Sequence, residues 1–401
     1  MSDHDLLIVG AGVSGLSMAH YAAGAGLKTL VLERDSRPGG CLHSHRFGGP
    51  LDGFWLELGA HSAFNSYGNL LAILESVGAW KQLRPRAKVG FRLFADGAAR
   101  AIPSQLYIPE LLLAPLRLWG RQKTGRTVAE YYGPLVGRRN YARVFEPAFN
   151  AVLCQAAGAF PAASLFRSRP RRKDAPHGFT LPNGLQTIAD LLARQSGVAV
   201  AFGRTVRAIR REGDRFIVHS DEGDYTARAL CLATPVAAAA ELARPAFPAI
   251  AEALADIASA TVESVGVALP SERVRLPNVA GLIGRDEAFY SVVSRDTAPD
   301  PRYRGFTFHF RPALLDREEQ LARIAQVLDA PRSAFGSDNV AFKRNILPVL
   351  RVGHEERIQR LDGALAGTRL ALTGNYFTGV AIEDCVTRSL EEWRRLRREG
   401  G

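Results

Sequence analysis

Residues 5–33 read DLLIVGAGVSGLSMAHYAAGAGLKTLVLE, and three glycines within this stretch decide the fold. The apolar run Asp5 to Val9 predicts a strand, and Gly10, Gly12 and Gly15 follow on a GxGxxG spacing with Val13 and Ser14 between the last two. Leu16 to Gly24 predicts a helix of small residues, and Lys28 to Glu33 a second strand, which completes a β-α-β unit. In such a unit the first glycine permits a tight turn, the second lets the backbone approach a pyrophosphate, and the third lets helix and strand pack closely. The phosphates then lie against the free N–H groups at the helix N-terminus. Glu33, about 20 residues on, is placed with its neighbour Arg34 at the end of the second strand, where a carboxylate accepts hydrogen bonds from an adenosine ribose and repels a 2′-phosphate.

Around this unit the bulk composition narrows the class. A chain of 401 residues with 47% apolar content can bury a sizeable core and suggests two or three domains. Cys41, Cys154, Cys231 and Cys385 are far apart and form no CxxC pair, which argues against a disulfide framework and for a reducing, cytoplasmic setting. The opening MSDHDLLIVG carries acidic residues where an export signal would be basic, and no run reaches the roughly 18 apolar residues needed to span a bilayer. Membrane contact would therefore be peripheral, on the inner face of the cell membrane. The net charge of +11 favours anionic partners.

Further along, Ser104 to Trp119 reads SQLYIPELLLAPLRLW, apolar and broken by Pro109 and Pro115, then turns basic at Arg121, Lys123 and Arg126. The prolines argue against one long helix, and the apolar-plus-basic composition suits an anionic membrane interface or, equally, a buried helix beside a linker. Thr127 to Phe166 reads as helices, and Arg167 to Pro176 as a basic linker. Val198 to Ala229 alternates like a β-meander with turns near Gly213 and Gly223, and a last strand, Arg369 to Thr373, leads into a closing helix. The basic runs at 167–173 and 394–398 lack interleaved aromatic residues, so solvated charge or lipid contact is preferred to nucleic acid. His43 and His45 have no third ligand nearby, so no metal site is expected.

The text after Glu33, ERDSRPGGCLHSHR, resembles the flavin amine oxidase superfamily, in which a paired-glycine segment runs beside the FAD diphosphate. Gly39 and Gly40 match that pair and Ser44 its hydroxyl position; Cys41 departs from it, standing where the family usually has Arg or Lys. Glu57-Leu58-Gly59-Ala60-His61 resembles the segment that approaches the flavin ring, and Leu181 to Thr187 the Gly-Leu-Gln-Thr turn. Val206 matches an adenine-contacting position, and Ala233-Thr234-Pro235 the strand end near the cofactor. Gly374-Asn375-Tyr376 and Gly379-Val380-Ala381 are similar to the block that closes over the ribityl chain and flavin O2. There, a helix N-terminus would stabilise charge on the reduced ring.

Four segments, Thr127 to Phe166, Leu181 to Thr187, Leu347 to Ile358 and Gly374 to Val386, resemble the oxygen-dependent protoporphyrinogen oxidase family. The resemblance implies bound FAD, removal of six electrons from a porphyrinogen with O2 as acceptor and H2O2 released, and Arg92 as a propionate-binding residue; an exposed strand arginine with no ligand is an equal reading of Arg92. It also implies an α/β architecture: a Rossmann-like FAD-binding domain (1–80, 178–240, 345–401), a mixed-sheet substrate domain (81–103, 241–344) and a helical, membrane-facing insert (104–177). An amine oxidase or polyene desaturase of the same superfamily stays open, as does a flavin-binding module without catalysis.

Overall fold

In the computed structural model, which describes residues 2–399, the strand Ser2–Val9 lies inside a seven-stranded sheet, and its side chains go alternately to two cores. Leu6 and Ile8 join one, Leu7 and Val9 the other. Burial on both faces is why this strand and Thr29–Leu32 read as continuous apolar runs. Val198–Ala201, Thr29–Leu32, Ser2–Val9, the C-terminal end of Gly223–Leu232 and Leu370–Leu372 pair in parallel. The meander Val206–Glu212, Arg215–Ser220 and Gly223–Leu232 extends the sheet by antiparallel pairing.

Helices cover both faces. Val13–Gly24, Gly68–Ser76, Gln186–Arg194 and the closing helix Ile382–Glu399 pack on one side; Val236–Ala243, Pro248–Ala255 and His354–Leu365 pack on the other. The closing helix is tied to the first one through Ser389, whose hydroxyl donates to Ser14 O at 2.9 Å. Its buried Glu392 accepts from Leu372 N–H and pairs with Arg388 and Arg395. Arg395, expected as part of a solvated basic tail, is thus a structural ion partner.

The second sheet also has seven strands, in the order Val340–Pro348, Ser259–Pro270, Tyr303–Phe310, Phe289–Ser294, Gly281–Gly284, Phe91–Ala95 and Ala98–Ala101. All pairings are antiparallel except that of Gly281–Gly284 with Phe91–Ala95, so the sheet is mixed. One face, with Val265, Val267, Phe306, Phe308 and Phe310, is covered by the helix Arg317–Leu328. The opposite face carries Ser264 and Gly266 beside His309 and Thr307. Glycine is required there because the segment Phe54–Leu58 presses on the sheet: a Cβ on Gly266 would lie 2.6 Å from Leu58, and one on Gly305 2.2 Å from Leu56.

Two expected domain boundaries shift. The strand Val340–Pro348 belongs to the second sheet along its whole length, so the division falls after Pro348 and not at 345. The helix Pro248–Ala255 packs in the core of the first sheet, because Ile250, Ala251 and Leu254 bury against it, so residues beyond 240 stay with that domain.

Between the sheets' chain segments lies the helical insert. Thr127 and Glu130 form a reciprocal cap that starts the helix Val128–Val136, and the chain continues through a π-helical turn into Glu146–Leu153. Before them, Ile108–Leu112 and Ala114–Leu118 are two short helices, each with a proline in its first turn, so the prolines do break the segment. Leu112, Leu116 and Trp119 are 73%, 74% and 91% exposed, which removes the buried-helix reading of this stretch. Among the described residues no helix is long and apolar enough to cross a membrane.

Candidate flavin and substrate site

The glycine turn closes as its spacing requires. Gly10 has φ +104°, and a Cβ on it would lie 2.8 Å from Ala233 O; one on Gly15 would lie 2.0 Å from Gly10 O. Gly12 is different, because a Cβ there would meet nothing within 4 Å. It faces an open trough whose other wall is the paired-glycine loop, bridged to it at Gly39, whose N–H donates to Ala11 O at 2.7 Å. No side chain caps the helix that Val13 and Ser14 open, so its first N–H groups remain for an anion. Glu33 is buried and accepts from Ala11 N–H at 2.7 Å and Asp35 N–H at 2.9 Å, which leaves lone pairs for ribose hydroxyls. Its backbone O accepts from Arg204 N–H, which brings Val206 alongside. The hydroxyl of Thr234, beside Gly10, is buried without a partner. An open glycine trough, an uncapped helix start, a buried acid and an orphaned hydroxyl fit an adenine dinucleotide. Arg34 points away, its nearest partner being Asp35 at 3.7 Å.

Gly39 and Gly40 both have positive φ, and the Gly40 carbonyl is held from two sides, by Arg37 and by the amine of Lys343 from the second sheet. Cys41 keeps its side chain exposed, while its carbonyl accepts from Ala60 N–H at 2.9 Å. That contact explains Gly59, where a Cβ would lie 2.1 Å from Cys41 O. A cation reaches this loop from the second sheet in Lys343, which bonds the Gly40 carbonyl and whose pKa burial lowers to about 8. Held on the cofactor loop, Lys343 is not presented to a substrate.

Past Gly59 and Ala60, the His61 ring stacks on His309 with centroids 5.8 Å apart, and its Nδ1 lies 3.1 Å from Gly59 O. His309 Nδ1 is 3.0 Å from the Ser264 hydroxyl, which also accepts from Asn345, and Asn345 donates to Leu58 O at 2.8 Å. Burial pushes His61 down to about 4 and His309 to about 3, so both rings are neutral. Behind His61 this face thus buries hydroxyl, amide and neutral imidazole groups. Sequence reading found His61 and missed Ser264, His309 and Asn345. A signal was present: in Tyr303–Phe310, Phe306, Phe308 and Phe310 alternate with Gly305, Thr307 and His309.

The C-terminal block is fastened by His354, whose Nε2 lies 2.9 Å from Tyr376 O and 3.0 Å from Phe377 O. Two carbonyl acceptors require the Nε2–H tautomer. Gly374 and Asn375 precede that fastening, and Gly379, Val380 and Ala381 lead from it to the closing helix. Asp384 accepts from Ala381 N–H at 3.3 Å and pairs with Arg169 at 2.6 Å, so part of the helix start is already satisfied. Arg169 and Arg172, expected as solvated charge, both have carboxylate partners.

Arg92 does not join the site. In the register of its strand it sits opposite Leu282, on the sheet face that holds Phe94 and Leu282 under the helix Arg317–Leu328, whereas Leu93 and Ile283 take the other face. The assignment fails because a strand's side chains alternate, and a one-residue shift reverses the face.

Two outcomes follow. Replacing Lys343 by Gln is expected to weaken FAD binding about tenfold, as for loss of a charge-assisted contact, with the protein still folded; flavin fluorescence titration of apoprotein measures it. The neutral imidazole of His309 contributes stability that is present above its unfolded pKa near 6.5 and is lost as pH falls toward its folded value of about 3. Glu57, raised to about 7 by burial, works in the opposite sense between pH 4.5 and 7. The His309→Asn variant should therefore show a smaller fall in Tm between pH 6.5 and 4 than the parent, and an unchanged fall would remove His309 as a contributor.

Comparison with known proteins agrees with this geometry. Residues 13–392 match the family described as flavin containing amine oxidoreductase. A coproporphyrinogen III oxidase from Propionibacterium freudenreichii subsp. freudenreichii is 24% identical over 95% of this chain and 88% of its own length. A 15-cis-phytoene desaturase from Narcissus pseudonarcissus is 34% identical, but over 29% of this chain and 20% of its own. Among solved structures, a protein described as a protoporphyrinogen oxidase from Exiguobacterium sp. 255-15 superposes with a TM-score of 0.77 at 19% identity, covering 99% of both chains. Cyclohexylamine oxidase from Brevibacterium oxydans IH-35A gives a TM-score of 0.71 at 17% identity, again covering 99% of both. These two likenesses speak to the fold. The family match across nearly the whole chain, on a site built for an adenine dinucleotide, makes this protein a flavin containing amine oxidoreductase, an FAD-dependent enzyme.

Proposed function

We propose that the enzyme oxidises a porphyrinogen to a porphyrin with O2 as acceptor. The observation that carries this reading is the likeness to a coproporphyrinogen III oxidase along 95% of the chain, where the desaturase match spans 29%. The site supports it. An amine substrate is usually served by a lysine close to the flavin, and the lysine of this region, Lys343, is bound to the Gly40 carbonyl. The second sheet places no charge behind His61, where Ser264, Thr307, His309 and Asn345 are buried neutral groups, as an uncharged macrocycle would need.

FAD, when bound, supplies the two-electron redox chemistry. Six electrons leave the porphyrinogen as three hydrides and three protons, and three O2 become three H2O2. The protein's share is to hold the cofactor and exclude water from its face. The trough beside Gly12 and the loop at Gly39 and Gly40 would hold the diphosphate, and Glu33 the ribose. The Tyr376–Phe377 carbonyls, fastened by His354, fix the closing block. The buried stack of His61 on His309 is a desolvated wall in which neither ring carries charge.

We further propose that the two proline-started helices at 108–118 rest on an anionic lipid surface on the cytoplasmic side. The exposed side chains Leu112, Leu116 and Trp119 supply apolar area, and Arg117 and Arg121 supply charge. A substrate of low solubility would be met there.

Anaerobic mixing with protoporphyrinogen, coproporphyrinogen and a panel of primary amines, followed by flavin absorbance, tests the reaction. A porphyrinogen is expected to bleach the flavin, and bleaching by an amine alone would overturn the reading. Sedimentation with phosphatidylglycerol vesicles tests the surface. The Leu112→Glu/Leu116→Glu variant should bind at least about tenfold more weakly, given the apolar area each leucine buries, and equal binding would overturn it.

A further inference from the structure

Next to His61 a small cavity opens between the Trp55–His61 segment and the end of the strand Phe289–Ser294. Its volume is about 30 Å³, room for roughly two water-sized groups. Two guanidinium groups line it, those of Arg86 and Arg295. Arg295 lies over two aromatic rings, with its guanidinium 4.5 Å from the centroid of Phe54 and 4.5 Å from that of Trp55. Its side chain is 11% exposed, and its Nε and one Nη are buried without a hydrogen-bond partner. The nearest carboxylate, Asp300, is 3.7 Å away, beyond hydrogen-bonding distance. Arg86 is half-buried and donates to the hydroxyls of Ser62 at 3.1 Å and Thr297 at 3.2 Å, both neutral acceptors.

The carboxylate in the same wall does not answer these charges. Glu57 spends its oxygens on the Ser44 hydroxyl at 2.8 Å and on Leu185 N–H at 2.7 Å. Asp296, close in sequence, is committed to Arg304. An arginine stays ionised even when desolvated, and a buried charge without a hydrogen-bonded counter-charge is costly. Two of them converging on one small cavity, with Thr180 and Thr297 hydroxyls beside them, form a receptor for an anion. The cavity has room for the two oxygens of a carboxylate, and the planar guanidinium suits a carboxylate's paired acceptors.

We infer that Arg86 and Arg295 form a carboxylate-binding subsite that anchors an acidic arm of the substrate beside the flavin-facing segment Gly59–His61. This rests on the porphyrinogen reading for the identity of the arm, since a porphyrinogen carries carboxylate side chains on an uncharged ring. The subsite sets specificity for free acids over esters, and it does the work for which Arg92 was expected.

The test uses the FAD-loaded enzyme with the free acid and the methyl ester of the porphyrinogen it oxidises. The parent should show a KM for the acid about ten- to a hundredfold below that for the ester, the range of a hydrogen bond to a buried charge. Arg295→Gln and Arg86→Gln should each raise the acid KM into the ester's range, leaving kcat, flavin content and the ester KM within about twofold. Arg295→Lys should recover part of the loss. Equal KM values for acid and ester in the parent, or an ester KM that rises along with the acid KM in both Gln variants, would overturn the proposal. Titration with formate, followed by fluorescence of Trp55 against Arg295, separates this from failure of the porphyrinogen reading. If no porphyrinogen is oxidised, saturable formate binding that Arg295→Gln abolishes still supports a carboxylate subsite, and absence of that binding overturns it. Formate binding in a parent that treats acid and ester alike would mean that the anion comes from solution, which overturns the assignment to a substrate arm.

Discussion

The close approach of three chain segments at one turn governs the rest of this structure. The end of the first strand, the start of the first helix and the end of the strand Gly223–Leu232 meet at Gly10, with Ala233 O and Gly10 O at distances no side chain could occupy. Residues more than 200 positions apart must therefore pair in register before the cofactor trough exists. Once they do, the helix start, Glu33 and the Gly39 loop are fixed relative to each other by backbone hydrogen bonds that do not depend on surface chemistry. The closing helix is locked to the same place through Ser389 and Ser14, which brings the C-terminal block over a site begun by the N-terminus.

A second contact of this kind joins the two domains. Gly266 and Gly305 leave depressions on the second sheet, and Leu56, Leu58 and Phe54 fill them. The packing carries Gly59, Ala60 and His61 to the polar column of Ser264 and His309, where Asn345 ties the Leu58 carbonyl to the sheet. That face holds buried neutral groups in its middle, with Lys343 at the cofactor loop and two arginines in the small cavity beside His61. Two guanidinium groups in that cavity would repel a cationic ligand.

The insert obeys a different logic. Proline in the first turn of each short helix prevents a regular amphipathic rod and leaves leucines and a tryptophan outward, where no neighbouring element covers them. Its basic neighbours form part of the net charge of +11, while Arg169, Arg172, Arg388 and Arg395 are spent on internal ion pairs. Each such pair cancels in the net charge, so the excess of +11 is carried by the other basic side chains.

The sequence by itself determined the dinucleotide clamp, the β-meander and the flavin loops, because each is local. Strand, turn and helix follow within a few residues, and glycine spacing reports a backbone requirement directly. The resemblance of segments along the chain likewise carried the cofactor and the mixed α/β architecture. Tertiary structure alone decided which side chains meet at the site. Arg92 fell on the far face of its sheet, while Arg86, Arg295 and His309 came together around His61, and Lys343 reached the cofactor loop, from segments far apart in the chain. Cys41, unexplained as text, serves through its carbonyl, which accepts from Ala60 N–H and lies against Gly59, while Lys343 reaches the neighbouring Gly40 carbonyl. The reason is physical: a side chain's face depends on strand register and on what packs opposite, and both are set by contacts between residues that local pattern does not connect.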